Sequence, residues 1–334
     1  IVRQIIVFNP KLVLMIDQAE TPLHHLSLEI IKLHSNIEVV SLIANICNKE
    51  AMQHIFKKYN PNVIFHAAAY KHVPMMESNP SQAVFVNVLG TKVVADLAEA
   101  FQAESFVMIS TDKAVNPSNV MGASKRIAEK YVQGLHHKNC LKNINCPTKF
   151  ITTRFGNVLG SNGSVIPLFR EQIKRGGPVT VTHPEIIRYF MTIPEACQLV
   201  LEAGAHGKSG EIYIFDMGKP VKILDLAKRM ISLSGLKNIR IEYSGLRHGE
   251  KLYEELLNVA EHTKPTHHEK IMIADVREYE YPEVNQKIED LIKVSFDYDD
   301  MLIVRMMKEL VPEFQSIDSP FEAIDRLLEE AETR

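Results

Sequence analysis

The stretch Ser110-Thr111-Asp112-Lys113 sets a carboxyl group beside an amine, with Met121 ten residues past Thr111 and Lys125 four beyond that. Adjacent side chains of these types can give and take protons at two neighbouring atoms of one ligand. They can equally form a plain ion pair that caps a turn. The apolar run Phe106-Val107-Met108-Ile109 leads into the segment, and Ala123 to Gly134 reads as a helix after it. The groups are therefore expected at the carboxyl end of a buried strand, where ligands bind in an open α/β sheet.

The elements that must hold them alternate between strand and helix. Leu12 to Ile16 is an apolar run of strand length ending in Asp17, and Ile37 to Ile43 predicts a second strand. Ala51 to Tyr59 predicts a helix, and Val63 to Phe65 a strand running into His66-Ala67-Ala68-Ala69. Gln82 to Ala103 reads as one long helix and Lys149 to Arg154 as a further strand. Short apolar strands between helical patterns imply a parallel sheet covered on both faces. The expected fold class is α/β: a doubly wound, Rossmann-like parallel sheet with a smaller C-terminal α/β lobe.

Gly160 to Pro184 is rich in Gly, Ser, Thr and Pro, which predicts loops and short strands over a ligand. Pro194 to Ala205 predicts a helix, Glu211 to Phe215 a strand, Ile223 to Ser234 a helix and Ile239 to Tyr243 a short strand. The chain is expected to finish in a helix from Pro320 to Ala331.

With 334 residues and 46% hydrophobic content, the chain can bury a large core. A net charge of -3 gives no electrostatic case for nucleic acid. Cys47, Cys140, Cys146 and Cys197 lack C-x-x-C spacing and read as reduced thiols. No apolar run reaches the roughly 18 to 20 residues needed to cross a bilayer. His262, His267 and His268 show no metal-ligand spacing on a defined element, so no metal is expected.

Asp17, at a strand end, suits an acceptor for adenosine ribose hydroxyls, a role that favours NAD over its 2′-phosphorylated form. A helix cap is the alternative. Ala67, Ala68 and Ala69 are small enough to let a cofactor approach the backbone, and Lys125 could hold nicotinamide ribose hydroxyls. A glycine-rich turn for the pyrophosphate occurs nowhere in the sequence. Its expected place is before Ile1, and the chain opens without Met in what reads as mid-helix, so an upstream strand and turn are expected to lie outside this sequence.

Four segments carry a resemblance: His66 to Pro74, Asn87-Val88-Leu89-Gly90-Thr91, Ser110 to Pro117, and Arg154 to Ser161. Arg188-Tyr189-Phe190-Met191-Thr192 and Arg247-His248-Gly249-Glu250-Lys251 continue it, in order, to about Leu257. Together they resemble the nucleotide-sugar 4,6-dehydratases of bacterial polysaccharide synthesis, in the extended short-chain dehydrogenase/reductase superfamily. The nearest likeness is to UDP-N-acetylglucosamine 4,6-dehydratases with methionine at the usual tyrosine position, here Met121. Ala44-Asn45-Ile46 departs from the family's Gly-Asp-Ile element near the adenine.

The resemblance implies an NAD-binding domain over 1–156, with 192–235 returning to it, and a nucleotide-sugar lobe over 157–191 and 236–334. Cofactor contacts are expected from Asp17, Ala67, Ala68, Ala69, Lys71, Asn87, Ser110, Lys125, Phe155 and Gly156. Substrate contacts are expected from Lys71, Asn157, Arg188, Arg247 and Glu250, with the arginines on the diphosphate. The implied reaction oxidises C4 of a UDP-sugar, expels water across C5 and C6, and reduces C6 with the same NAD.

Asp112 and Lys113 are then the acid and base, which requires an un-ionised carboxyl and a neutral amine. A thioether cannot titrate, so Thr111 is expected to relay the C4 hydroxyl proton to Asp112 or water. A UDP-sugar 4-epimerase or a non-catalytic binding module would share the cofactor contacts but have no use for the acid–base pair. A homo-oligomer is expected through Gln82 to Ala103 and Ala123 to Gly134. The expected setting is cytoplasmic, either free or attached to a bacterial membrane through a segment outside this sequence.

Overall fold

The computed structural model describes residues 1–33, 36–141, 148–255, 263–274 and 279–332. Cys146, Leu257 and His262 lie outside the described residues. The chain opens with α1 (Val2–Ile5), β1 (Leu12–Asp17), α2 (Glu20–Leu33), β2 (Glu38–Ile43), α3 (Lys49–Tyr59) and β3 (Val63–His66). Next come α4 (Val73–Glu77), α5 (Pro80–Ala83), α6 (Gly90–Ala100), β4 (Ser105–Ile109), α7 (Val120–Leu141) and β5 (Lys149–Arg154). The middle holds β6 (Asn157–Val158), α8 (Val165–Lys174), β7 (Val179–Val181), β8 (Ile187–Arg188) and β9 (Phe190–Met191). Then follow α9 (Ile193–His206), β10 (Ile212–Phe215), β11 (Val221–Lys222), α10 (Ile223–Ser234) and β12 (Ile241–Tyr243). The chain ends with β13 (Thr263–Pro265), β14 (Ile271–Ala274), α11 (Tyr281–Ser295), α12 (Asp300–Leu310) and α13 (Glu322–Glu332).

The main sheet runs β13-β14-β10-β5-β4-β3. Strands β3, β4, β5 and β10 are parallel, with Phe106 opposite Phe150 and Thr152 opposite Ile212. Strand β4 is apolar and buried along nearly its whole length, as expected for a parallel strand covered on both faces. Strands β1 and β2 form a separate parallel pair rather than an extension of this sheet. The expected doubly wound order is therefore interrupted between β1 and β3, which are not hydrogen-bonded neighbours.

Three elements differ from the sequence expectation. The long helix expected over Gln82 to Ala103 contains a π-helical stretch, Val84–Leu89, between α5 and α6. Helix α8 lies inside the segment expected to be loops and short strands. Its glycines and Pro167 obscure a helical pair, Phe169 and Ile173, that is buried with Val179 and Val181. Helix α10 packs into that same small core through Ile223 and Ala227 instead of returning with α9 and β10.

The C-terminal stretch divides in the same way. Strands β13 and β14 extend the main sheet, while α11 and α12 pack on α7. Ile288, Leu291, Val304 and Met307 share one apolar core with Ile127, Tyr131 and Leu135. Residues 120–135 are all buried, so the α7 surface expected to meet a second copy is already covered within one chain. No helix among the described residues is long and apolar enough to cross a membrane.

Candidate active site

Strand β4 delivers Ser110, whose N–H donates to Thr153 O at 2.7 Å, and a 3-10 turn over Asp112–Ala114 follows at once. Thr111 caps that turn by accepting from Lys113 N at 3.3 Å. Asp112 N–H donates to Phe155 O at 3.2 Å, which ties the turn to the end of β5. Helix α7 is seated directly against the turn. A Cβ on Gly122 would lie 2.1 Å from Lys113 O, a separation only glycine permits. Glu77 accepts from Val120 N at 2.6 Å and fixes the amino end of α7, and burial raises its pKa.

Asp112 is buried, and its Oδ1 accepts from Lys113 Nζ and from Thr111 Oγ1, each at 2.9 Å. Lys113 Nζ also donates to Asn157 Oδ1 at 3.3 Å and lies 3.5 Å from Glu254 Oε1. Burial pushes the Lys113 ammonium down, but the Asp112 and Glu254 carboxylates outweigh it and hold its pKa above the ordinary value. The expected neutral amine beside an un-ionised carboxyl is therefore not the ligand-free state, which is an ion pair. The reason is the Asp112 carboxylate itself, reinforced by Glu254, a second carboxylate that the motif does not contain. The ion pair and its neutral form differ only by the position of one proton along the 2.9 Å contact.

Glu254 continues the network into the lobe. Arg188 Nη2 lies 3.7 Å from Glu254 Oε1 and 3.4 Å from Glu250 Oε1. The Arg188 guanidinium also donates to the carbonyls of Ile187, Lys251 and Leu252 at 2.7, 2.8 and 3.2 Å. Arg188, expected to face a diphosphate, is thus committed to the 250–254 segment. Glu250 is held by Arg247 N at 3.1 Å and Thr182 Oγ1 at 3.4 Å, while the Arg247 side chain is exposed. Lys251 Nζ reaches Asn116 O at 2.7 Å, and Gly249 O accepts from Ser118 Oγ at 2.8 Å. These bonds stitch the lobe segment onto the turn that carries Asp112.

The expected cofactor residues divide into two groups. Ala67 and Ala68 are exposed just past β3, and Lys125 on α7 is buried without a hydrogen bond or ion pair among the described residues. Desolvation lowers the Lys125 pKa to about 8, against an opposing pull from Glu129. His66 is buried against Thr91 Oγ1 at 2.8 Å, and burial together with Lys125 pushes its pKa down to about 3, so the imidazole is neutral. Lys71 bridges to Asn162 O at 2.8 Å, and burial lowers its pKa.

Others are turned to structural tasks. Asn87 sits in the π-helical stretch, fully buried, accepting from Tyr70 N at 2.8 Å and donating to Tyr70 O and Ser124 Oγ at 3.0 and 2.9 Å. It clamps the alanine segment rather than presenting an amide to a ligand. Ser110 Oγ donates to buried Glu129 Oε1 at 2.6 Å. Asp17 Oδ1 accepts from Ala19 N at 2.8 Å, the helix-cap alternative for one of its oxygens. Phe155 stacks on Phe215 with centroids 5.5 Å apart. Gly156 N donates to Met217 Sδ at 3.3 Å, and a Cβ there would come 2.9 Å from Asp112 Oδ2. Met121 packs into the main core.

Sequence reasoning missed Glu254 and the buried Glu129–Arg154 pair. Arg154 donates to both Glu129 oxygens at 2.8 and 2.6 Å, and Arg126 adds a third contact at 3.1 Å. Burial would raise the Glu129 pKa, but the guanidiniums bring it down to about 2. The available signal was a glutamate one helical turn past Lys125 and Arg126, at ion-pair spacing.

The likeness to known proteins covers most of this architecture. Residues 1–276 match the family model described as polysaccharide biosynthesis protein. The capsular polysaccharide biosynthesis protein CapD of Staphylococcus aureus is 52% identical over 295 residues, which is 87% of this chain and 48% of that protein. The chain thus spans about half the length of the curated relatives it matches. Among solved structures, Pen from Bacillus thuringiensis superposes with a TM-score of 0.74 at 31% identity, over 86% of this chain and 93% of Pen. DesIV, a dTDP-glucose 4,6-dehydratase from Streptomyces venezuelae solved with NAD, gives a TM-score of 0.66 at 19% identity over 76% of this chain and 83% of DesIV, a likeness of fold. With the strand-end turn, the packed α7 and the stitched 247–251 segment all inside the matched span, the chain belongs to the polysaccharide biosynthesis protein family.

Proposed function

We propose that the chain catalyses NAD-dependent dehydration of a nucleotide sugar to its 4-keto-6-deoxy form, with UDP-N-acetylglucosamine as the first substrate to test. The observation that carries this reading is the Asp112–Lys113 pair at the end of β4, where a buried carboxyl and an amine lie 2.9 Å apart. The DesIV dehydratase has the same fold and was solved with NAD. The residues present fit NAD in part: Lys125 is buried without a hydrogen bond or ion pair among the described residues, and the exposed Ala67 and Ala68 leave room at the strand end. When bound, NAD would supply the oxidation at C4 and the matching reduction at C6.

The protein's own groups manage protons and position. Lys125 would hold ribose hydroxyls. Thr111, already bonded to Asp112 Oδ1, would pass the C4 hydroxyl proton to water, because the neutral pair leaves Asp112 no room for it. A substrate entering beside Lys113 would exclude water and separate it from Glu254, and low polarity favours the neutral form of the pair over the charged one. Lys113 would then take the C5 proton while Asp112 protonates the departing C6 hydroxyl, and the Lys113 ammonium would return a proton to C5 when C6 is reduced. Asn157, within reach of Lys113, would hold a sugar oxygen, and Arg247 would meet the diphosphate. Lys71 and Glu250 would bind outer parts of the substrate. Among the described residues Cys47, Cys140 and Cys197 are free thiols.

The test is incubation of the purified protein with NAD and UDP-N-acetylglucosamine, read by NMR and mass spectrometry. Loss of one water with a 4-keto-6-deoxy product supports the reading. A C4-inverted sugar would favour an epimerase, and the absence of turnover a binding module.

A further inference from the structure

His267 belongs to a histidine group that shows no metal spacing in sequence, yet the fold brings it to two residues of another element. Glu202 and His206 stand one turn apart on α9, on the same face. His267 lies on the connection between β13 and β14. Its Nε2 is 2.8 Å from Glu202 Oε1, and His206 Nε2 is 3.6 Å from the same oxygen. One donor atom from each residue falls within 4.8 Å of the others. A tetrahedral ion with bonds of about 2.0 to 2.1 Å sets its ligands ~3.3 Å apart. The two shorter separations bracket that value, and side-chain rotation can close the third.

The connection is built to throw His267 toward the helix. Thr266 Oγ1 donates to Ile271 O at 2.8 Å and accepts from His268 N at 3.0 Å. His268 Nδ1 accepts from Lys270 N at 3.2 Å, so that imidazole is used inside the turn. The His206 and His267 rings meet edge to face with centroids 4.8 Å apart. A cavity of about 260 Å3 borders all three residues and Tyr213, with room for an ion and a water.

The geometry points to a binding site for a divalent transition-metal ion of the zinc class, with Glu202, His206 and His267 as ligands and one position left for water. Two imidazoles and one carboxylate form a donor set that suits zinc, cobalt or nickel rather than calcium or magnesium. The ion ties the β13–β14 edge of the main sheet to α9. This site is separate from the Asp112–Lys113 turn and does not depend on the proposed reaction.

The test uses the whole chain, freed of metal by a chelator and titrated with zinc against a chromophoric chelator. One zinc per chain is expected, with affinity lowered at least ~10-fold in each of His206→Ala and His267→Ala, as for loss of groups that hold a metal. Both side chains are more than half exposed, at 61% and 57%, so the fold should survive either change. His24→Ala serves as the control and should bind like the parent. Cobalt should give the visible absorption of a four-coordinate site, lost in both histidine variants. Failure to bind one zinc per chain, or binding that persists unchanged in either histidine variant, overturns the site.

Discussion

Glu254 Oε1 stands 3.5 Å from Lys113 Nζ, which also contacts Asp112 Oδ1 at 2.9 Å. Lys113 is therefore a base held between two carboxylates, and its proton affinity depends on a residue from a distant part of the chain. Replacing Glu254 by Gln removes a charge that raises the Lys113 pKa. A lower pKa leaves more neutral amine at a given pH. The acidic limb of the kcat/KM profile should move to lower pH in E254Q, and Glu254→Asp should restore much of the original position. An unmoved limb, or movement to higher pH, would remove Glu254 from the account.

Gly122 offers a steric test of how the pair is held. A methyl group 2.1 Å from Lys113 O forces α7 away from the turn. Gly122→Ala should lose about 2 kcal/mol or more of stability through overpacking, together with most turnover. Thermal unfolding and product assays on the same preparation check both.

The Glu129–Arg154 pair should show in the acid stability of the protein. Glu129 is lowered from 4.5 to about 2, so its contribution is complete above the unfolded pKa. That contribution is lost as pH falls from about 4.5 toward 2. Glu129→Ala leaves Arg154 buried without this partner and should cost about 3 to 5 kcal/mol at neutral pH. Urea unfolding at several pH values should show a gap between parent and variant that narrows below pH 4.5.

Lys125 predicts a pH dependence of opposite sense for NAD. Its ammonium is lost as pH rises through about 8, and with it the donor proposed for ribose hydroxyls. NAD affinity of the parent should weaken above that pH, whereas Lys125→Met should bind weakly with little change across it. Fluorescence titration with NAD at pH values on both sides of 8 separates the two.

Much of this site was legible because it is local. Asp112, Lys113 and Lys125 lie on one strand end and the next helix, and a run of buried apolar residues marks that strand. What could not be read is tertiary. The Lys113 ammonium is held by Asp112 and also by Glu254, and no pattern within residues 110–125 reveals that second partner. Asn87 and Ser110 had the right chemistry for a ligand, but their atoms are taken by Tyr70, Ser124 and Glu129. Periodicity identified the terminal amphipathic helix, though not that the helices before it, α11 and α12, cover α7, because a hydrophobic stripe does not name its partner. Dense Gly, Ser and Pro hid α8, whose buried face rests on only Phe169 and Ile173.

The most direct measurement is turnover in D2O by the parent and by Lys113→Ala, with solvent deuterium at C5 of the product read by NMR. Proton transfer through the Asp112–Lys113 pair predicts deuterium at C5 in the parent and elimination slowed by about 10² to 10⁴ in the variant. Elimination at the parental rate without the Lys113 amine would contradict it.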